Sequence, residues 1–299
     1  MKLKPIRAGL AAALLLLMQG CVVAPQEQPE DALKNLLVVA PQPAELRYQL
    51  EVAKLNEVLT EETLPADTMA ELLYRRGALY DGLGMTALAR IDFNHALEYQ
   101  PRLADAYNYL GIHYTQAAQF DYAFEAYEAT LELDPEHPYA YLNRGIAAYY
   151  DSRFDLAVDD LRHYFEQSPD DPYRVLWLYL AEVEQDVAQA RNNLAQRRIA
   201  HGGDEWGWVL SDLMLGAISP VDFIDLHAAR DLKDNETLAE RMCEAYFYLG
   251  KYQQLAGQHK LATVYFRLAL TTGVYMFLEH RYAGLELARS MAVVEHNDE

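Results

Sequence analysis

The sequence predicts an all-α solenoid, a continuous body of stacked helical hairpins, and three observations predict it. Gly77, Gly111 and Gly145 stand 34 residues apart, and so do Ala89, Ala123 and Ala157, and Pro101, Pro135 and Pro169. Between these columns the apolar residues recur at the three-to-four spacing of a helix face, and strand-like alternation is absent. The chain of 299 residues is 52% hydrophobic with only 15 Gly and 12 Pro, which is enough to bury a large core and too ordered in composition for wholesale disorder.

Charge narrows the partners. Asp and Glu total 45 against 25 Lys and Arg, a formal charge of −20, and the basic residues form no cluster. Such a surface repels a nucleic-acid backbone, so no nucleic-acid partner is expected.

Taken in order, residues 1–20 carry Lys2, Lys4 and Arg7 and then an apolar run from Ala8 to Met18 that ends at Gly20 and Cys21. The run has a signal peptide's proportions and is short for a membrane span. It resembles a bacterial lipoprotein signal, with Cys21 as the lipidated residue; Met18 and Gln19 depart from that pattern, and a plain secretory signal is the alternative. Several acyl chains on Cys21 imply a firm anchor. Val22 follows, where an Asp would signal inner-membrane retention, so the resemblance favours the outer membrane with the body facing the periplasm. Residues 21–43 hold Pro25, Pro29, Pro41 and Pro43 and read as a spacer. With Cys21 lipidated, Cys243 is left without a disulfide partner, and its helical setting reads as a buried small hydrophobe rather than a reactive thiol.

In 44–69, Leu46, Leu50 and Ala53 share one helix face. This stripe must be covered by the repeat body or by a second copy of the chain, and it is the candidate dimer helix. Three regular units follow at 70–103, 104–137 and 138–171. A glycine in the first helix lets the paired helices approach closely, with the alanines as the small surface facing it, and the prolines end each hairpin. Beyond Asp171 the columns fade. Residues 172–242 read as degenerate helical hairpins, interrupted near His201 to Asp204, with Asp204 and Ser219 as helix caps and Pro220 in a first turn. Residues 243–276 recover the pattern through Tyr246, Leu249, Gly250, Ala262, Phe266 and Ala269, and 277–299 supply a terminal helix and tail. The total is about thirteen or fourteen helices.

A 34-residue unit with these columns resembles the tetratricopeptide repeat. That resemblance implies a superhelix whose first helices line a groove for a peptide or partner helix, and it carries the role onto Tyr74, Ala78 and Asp81, onto Asn108, Ile112, Thr115 and Gln116, and onto Leu142, Ile146, Tyr149 and Tyr150. Asn108 has the donors and acceptors to hold a peptide backbone. Leu142 and Ile146 read equally well as contacts to an adjacent helix. Tyrosine is in excess, 22 against 9 Phe and 3 Trp, which fits a wet interface or repeat stacking with hydroxyls at the rim.

Catalytic chemistry has no motif behind it. None of the nine histidines has zinc-site spacing; Glu279-His280 lacks a second His. Asp159 and Asp160 are adjacent on a helix and face apart, while Asp170 and Asp171 sit at a helix boundary where acids cap. No nucleophile elbow or phosphate loop occurs, and Gly82 to Met85 reads as a hairpin turn. No enzyme, metal or cofactor is expected.

Taken together, the signal, the spacer and the blocks GALYDGLG, YNYLGIHYTQAAQFDYAFEA, YAYLNRGIAAYY, DDPYRVLWLYLAE, WGW and HRYAGLEL resemble the NlpI-type outer-membrane lipoproteins of gammaproteobacteria. The resemblance implies a homodimeric, non-enzymatic adaptor that docks a periplasmic tail-specific protease and presents a peptidoglycan endopeptidase, and that holds other wall enzymes. Alternatives are a repeat lipoprotein for outer-membrane protein assembly, a secretin pilotin, or a cell-wall processing enzyme.

Overall fold

The structure is a computed structural model and describes residues 36–43, 46–60, 64–228 and 235–298. The signal, Cys21 and most of the spacer lie outside the described residues. Fourteen α-helical segments and no strand occur among the described residues. They are α1 Leu46–Val58, α2 Ala66–Gly82, α3 Thr86–Tyr99, α4 Ala104–Gln116, α5 Phe120–Leu133, α6 Ala140–Tyr150, α7 Phe154–Glu166, α8 Pro172–Gln185, α9 Val187–His201, α10 Trp206–Leu215, α11 Pro220–Asp222, α12 Asn235–Leu255, α13 His259–Thr271 and α14 Leu278–Asp298. A π-helical turn, Phe223–Ala228, continues from α11. None of these helices is long and apolar enough to cross a membrane.

Helix pairs α2/α3, α4/α5, α6/α7 and α12/α13 form the four hairpins that the glycine column marks. In each, the glycine gives room to the side chain sixteen residues on: a Cβ on Gly77 would lie 2.8 Å from the Phe93 ring and one on Gly145 2.8 Å from Leu161 Cγ, while Gly111 and Gly250 face the rings of Tyr127 and Phe266. The partner of the glycine is thus a large side chain, and not the alanine that the sequence suggested. Ala89, Ala123, Ala157 and Ala262 are all fully buried one turn earlier in the second helix. Each hairpin turns at one left-handed residue in a shared column: Gly84 at φ 72°, Ala118 at 54°, Ser152 at 60° and Gly257 at 73°. The first and third hairpins also share an internal ion pair. Arg76 grips Asp92 at 2.7 and 2.6 Å, and Arg144 grips Asp160 at 2.7 and 2.8 Å; both carboxylates are buried. Leu110 and Ala126 hold the matching places in the second hairpin.

The degenerate stretch follows its local caps. Asp171 accepts from the Tyr173 amide at 2.9 Å and opens α8, and Asp186 does the same for α9. Ser219 accepts from the Asp222 amide ahead of α11. Asp204 does not cap α10: Glu205 stands at the cap position, and no side chain closes it. Where the sequence predicts a full helix from Ser219 onward, α11 has three residues and the backbone then widens into the π-helical turn. Tyr179, 34 residues after Gly145 where the glycine column would continue, is buried.

The superhelix is tightly wound, and its last helices meet its first. Residues 36–43 run as a strap across the junction: Val39 is buried, the Tyr246 hydroxyl donates to the Leu37 carbonyl, and the Gln42 amide donates to the Thr272 carbonyl at 2.6 Å. On the other side, α14 meets α2, α4, α6 and α8 through Asp81, Gln116, Tyr149, Tyr150 and Glu184, in the last turns of those helices.

Candidate functional site: the inner face and the terminal helix

The inner face is built from the first helices of the repeats, where the candidate groove residues stand. Asp81 ends α2 and is 4% exposed. Arg281 of α14 reaches it with Nη1 at 3.1 Å and Nη2 at 2.6 Å, and His113 Nε2 lies 2.8 Å from its Oδ1. A carboxylate can only accept, so that imidazole nitrogen carries the proton. Burial works against the charge on Asp81; His113 and Arg281 outweigh it and hold the carboxyl at about 2. The Gln116 side chain donates to the Arg281 carbonyl at 3.4 Å.

Farther along the same face, Tyr149 and Tyr150 point their hydroxyls at Glu286 of α14, 3.4 and 3.1 Å away. Lys251 of α12 completes this knot with its ammonium 2.8 Å from Glu286 and 2.7 Å from the Tyr149 hydroxyl. Gln254 adds contacts at 3.0 Å to Glu286 and 2.8 Å to Ser290. Burial opposes ionisation of Glu286, but Lys251 and Arg289 prevail and its pKa is lowered. Arg289 lies over the Tyr149 ring at 4.9 Å and reaches Glu184 of α8 at 3.2 Å. Tyr282 packs on Tyr150 and Trp177 with ring centroids 5.4 and 5.8 Å away.

The structure therefore brings Asp81, Gln116, Tyr149 and Tyr150 together around α14. The remaining candidates face inward elsewhere. Asn108 is buried and its Oδ1 accepts from Asn143 at 3.0 Å, so it is engaged with the next repeat and not held open for a peptide. Thr115 bonds the Gly111 carbonyl and meets the Tyr127 hydroxyl at 3.2 Å. Ile112, Leu142 and Ile146 are buried, Tyr74 and Ala78 half-buried. The tyrosine excess has a third explanation: Tyr127, Tyr149, Tyr246, Tyr248 and Tyr282 are buried in the interior, where several hydroxyls serve buried carboxylates and carbonyls.

The sequence presents 277–299 only as a terminal helix and tail, and does not single out Arg281, Glu286, Arg289 or Lys251. The signal was available: Tyr282, Glu286 and Arg289 recur at i, i+4 and i+7, so charges share the stripe that an end helix buries. Cys243 is fully buried, and burial pushes its thiol pKa far up, away from reactivity. Among the described residues, no group of three or more His, Cys, Asp or Glu is placed to hold a metal ion.

The outer surface differs on α1. Leu46 is 67% exposed and Leu50 63%, and Ala53 is exposed beside them, while Leu55 is buried against the body. The docked face of α1 is fixed by Asn56, which accepts from Arg76 at 2.8 Å, by Glu51 paired with Arg75, and by Tyr48 against Gly82. The predicted stripe is thus not what the repeat body covers.

Comparison with solved structures gives a tetratricopeptide repeat protein of Parabacteroides merdae at 16% identity, covering 82% of this chain and 78% of that one, with a TM-score of 0.49. The Pseudomonas aeruginosa protein pilF is 20% identical over 74% of this chain and 99% of its own, with a TM-score of 0.45. YrrB, described as a tetratricopeptide protein with an unusual peptide-binding site, is 13% identical over 82% and 99%, with a TM-score of 0.41. Residues 110–176 match the tetratricopeptide repeat family, and the body as a whole is an all-α superhelix of tetratricopeptide type.

Proposed function

We propose that this protein is a non-enzymatic adaptor, held by lipid on Cys21 at the periplasmic face of the outer membrane, that brings a tail-specific protease together with peptidoglycan endopeptidases and other wall enzymes. The observation that carries the reading is the repeat body: three consecutive 34-residue hairpins, closed by the chain's own terminal helix, present an extended rigid surface, and surfaces of this kind bind proteins. The resemblance of the sequence blocks to the NlpI-type lipoproteins supports the choice of partners. The mechanism is proximity, because two proteins held on one scaffold meet at a raised effective concentration without new chemistry.

Two points of geometry shape the proposal. The inner-face residues Asp81, Gln116, Tyr149 and Tyr150 are engaged by α14, so partner docking is assigned to exposed outer surface. The uncovered stripe of Leu46, Leu50 and Ala53 is assigned to a homodimer, whose two-fold symmetry would bury the stripe against itself. Capture of the full chain from detergent-solubilised membranes tests the partner assignment. A tail-specific protease in stoichiometric yield supports it; recovery of outer-membrane assembly proteins or a secretin in its place supports one of the two rival readings and overturns this one.

A further inference from the structure

Helix α14 carries two buried glutamates two turns apart, and they are neutralised differently. Glu286, fully buried, has the Lys251 ammonium at 2.8 Å. Glu279, 4% exposed, accepts from the Tyr248 hydroxyl at 3.3 Å, and its charged neighbour is a second carboxylate, Glu244 of α12. Glu244 is itself buried and accepts from Trp206 Nε1 at 2.6 Å and from the Tyr173 hydroxyl. The other titratable or charged groups facing this pair are Arg241 and the Cys243 thiol, both on α12. Arg241 stands off over the Trp206 ring at 4.9 Å. His280 turns away toward the Leu270 carbonyl at 3.1 Å and the Tyr275 ring.

Two carboxylates this deeply buried on neighbouring helices cannot both be ionised cheaply. A proton on one of them removes the repulsion and leaves donors enough for the remaining charge. Burial is the larger cause for both, and at Glu244 the nearby charge of Glu279 adds to it, so both groups titrate above the usual carboxylate range. The pair sits where α14 begins. Upstream, Gly273 at φ 70° ends α13 and starts a short irregular loop that can absorb a change of direction. Two residues beyond Glu279, Arg281 makes the closure onto Asp81.

We propose that Glu244 and Glu279 form a proton-operated latch: with one of them protonated they seat the first turns of α14, and with both ionised those turns lift and Arg281 releases Asp81, while Lys251 keeps the Glu286 end in place. The sign follows from linkage. A carboxyl whose folded-state pKa is raised gives stability that is complete below its unfolded-state value and lost as pH rises through the folded one. The latch is therefore closed in mildly acidic and neutral conditions and opens on the alkaline side. This inference is independent of which proteins the body binds.

Amide exchange on the full chain, corrected for the intrinsic rate at each pH, tests it. Between about pH 6 and about pH 8.5, protection of peptides covering 278–285 is expected to fall about tenfold, with residues 286–298 and the first three hairpins changing little. Glu279→Gln, and separately Glu244→Gln, should each flatten that dependence, since a neutral amide keeps the shape without the second charge. Either variant suffices should the other fold poorly. A parent protein with no local pH dependence would overturn the latch. So would a dependence that both variants retain in full, or one spread evenly over all helices.

Discussion

Arg281 and Asp81 lie 200 positions apart in sequence, and the guanidinium of the one grips both carboxylate oxygens of the other at 3.1 and 2.6 Å. Both side chains are almost fully buried, 6% and 3% exposed. This pair joins the last helix to the first repeat and turns an open superhelix into a closed one. Removing one partner strands the other's charge, so Arg281→Ala should cost on the order of 3 to 5 kcal/mol. Urea denaturation of the parent and variant reads this directly. A loss below about 1 kcal/mol would mean that the site hydrates freely and that the closure is not a stabilising contact.

The same carboxyl sets the acid limit of stability. Asp81 is held at about 2, below its unfolded value, so its contribution is complete above the ordinary Asp range and is lost as pH falls toward about 2. Asp81→Asn should flatten the acid limb of a plot of thermal midpoint against pH. On the alkaline side the Glu244 and Glu279 pair, whose carboxyls burial holds above the ordinary range, acts with the opposite sign and loses its contribution as pH rises through those raised values. Maximal stability is therefore expected in the weakly acidic range.

The hairpin turns offer a gain. Ala118 and Ser152 occupy the left-handed position that Gly84 and Gly257 fill in the outer hairpins. A side chain there costs roughly 1 kcal/mol against glycine, offset in part by the greater freedom of glycine in the unfolded chain. Ala118→Gly and Ser152→Gly should each raise stability by about 0.5 kcal/mol, measured as an upward shift of the denaturation midpoint with unchanged slope. A downward shift would show that the side chain makes a contact worth more than the strain.

How much of this was legible in the sequence depends on the range of the interaction. The glycine, alanine and proline columns are local within one repeat, and they announce the hairpins of Gly77, Gly111, Gly145 and Gly250. The left-handed turn was readable at Gly84 and hidden at Ala118 and Ser152, because those residues do not favour the conformation that the repeat imposes on them. The bonds Arg281 to Asp81 and Lys251 to Glu286 depend on how tightly the superhelix winds, which is a sum of small rotations between units that no single residue encodes. For that reason four of the candidate residues, Asp81, Gln116, Tyr149 and Tyr150, turn out to meet a helix that the sequence presents only as a terminal one, and the buried charges of α14 gain a partner only when the far end of the chain lies against it.

On α1, Leu46→Glu combined with Leu50→Glu alters only exposed positions. Thermal stability of the single chain should change within about 0.5 kcal/mol, whereas light scattering at tens of micromolar should report half the parent mass. A parent that is already monomeric, or a variant that stays dimeric, would remove α1 from the proposed interface.

The central claim, that this protein promotes proteolysis without performing it, is tested most directly by a time course of peptidoglycan-endopeptidase loss with the cognate tail-specific protease alone, with this protein alone, and with both. Tethering matters most when the free partners are dilute. No loss is expected with this protein alone and faster loss with both, the acceleration being greatest at the lowest concentrations. Equal rates with and without it across the concentration series would contradict the adaptor, and client cleavage by this protein alone would contradict the absence of catalysis.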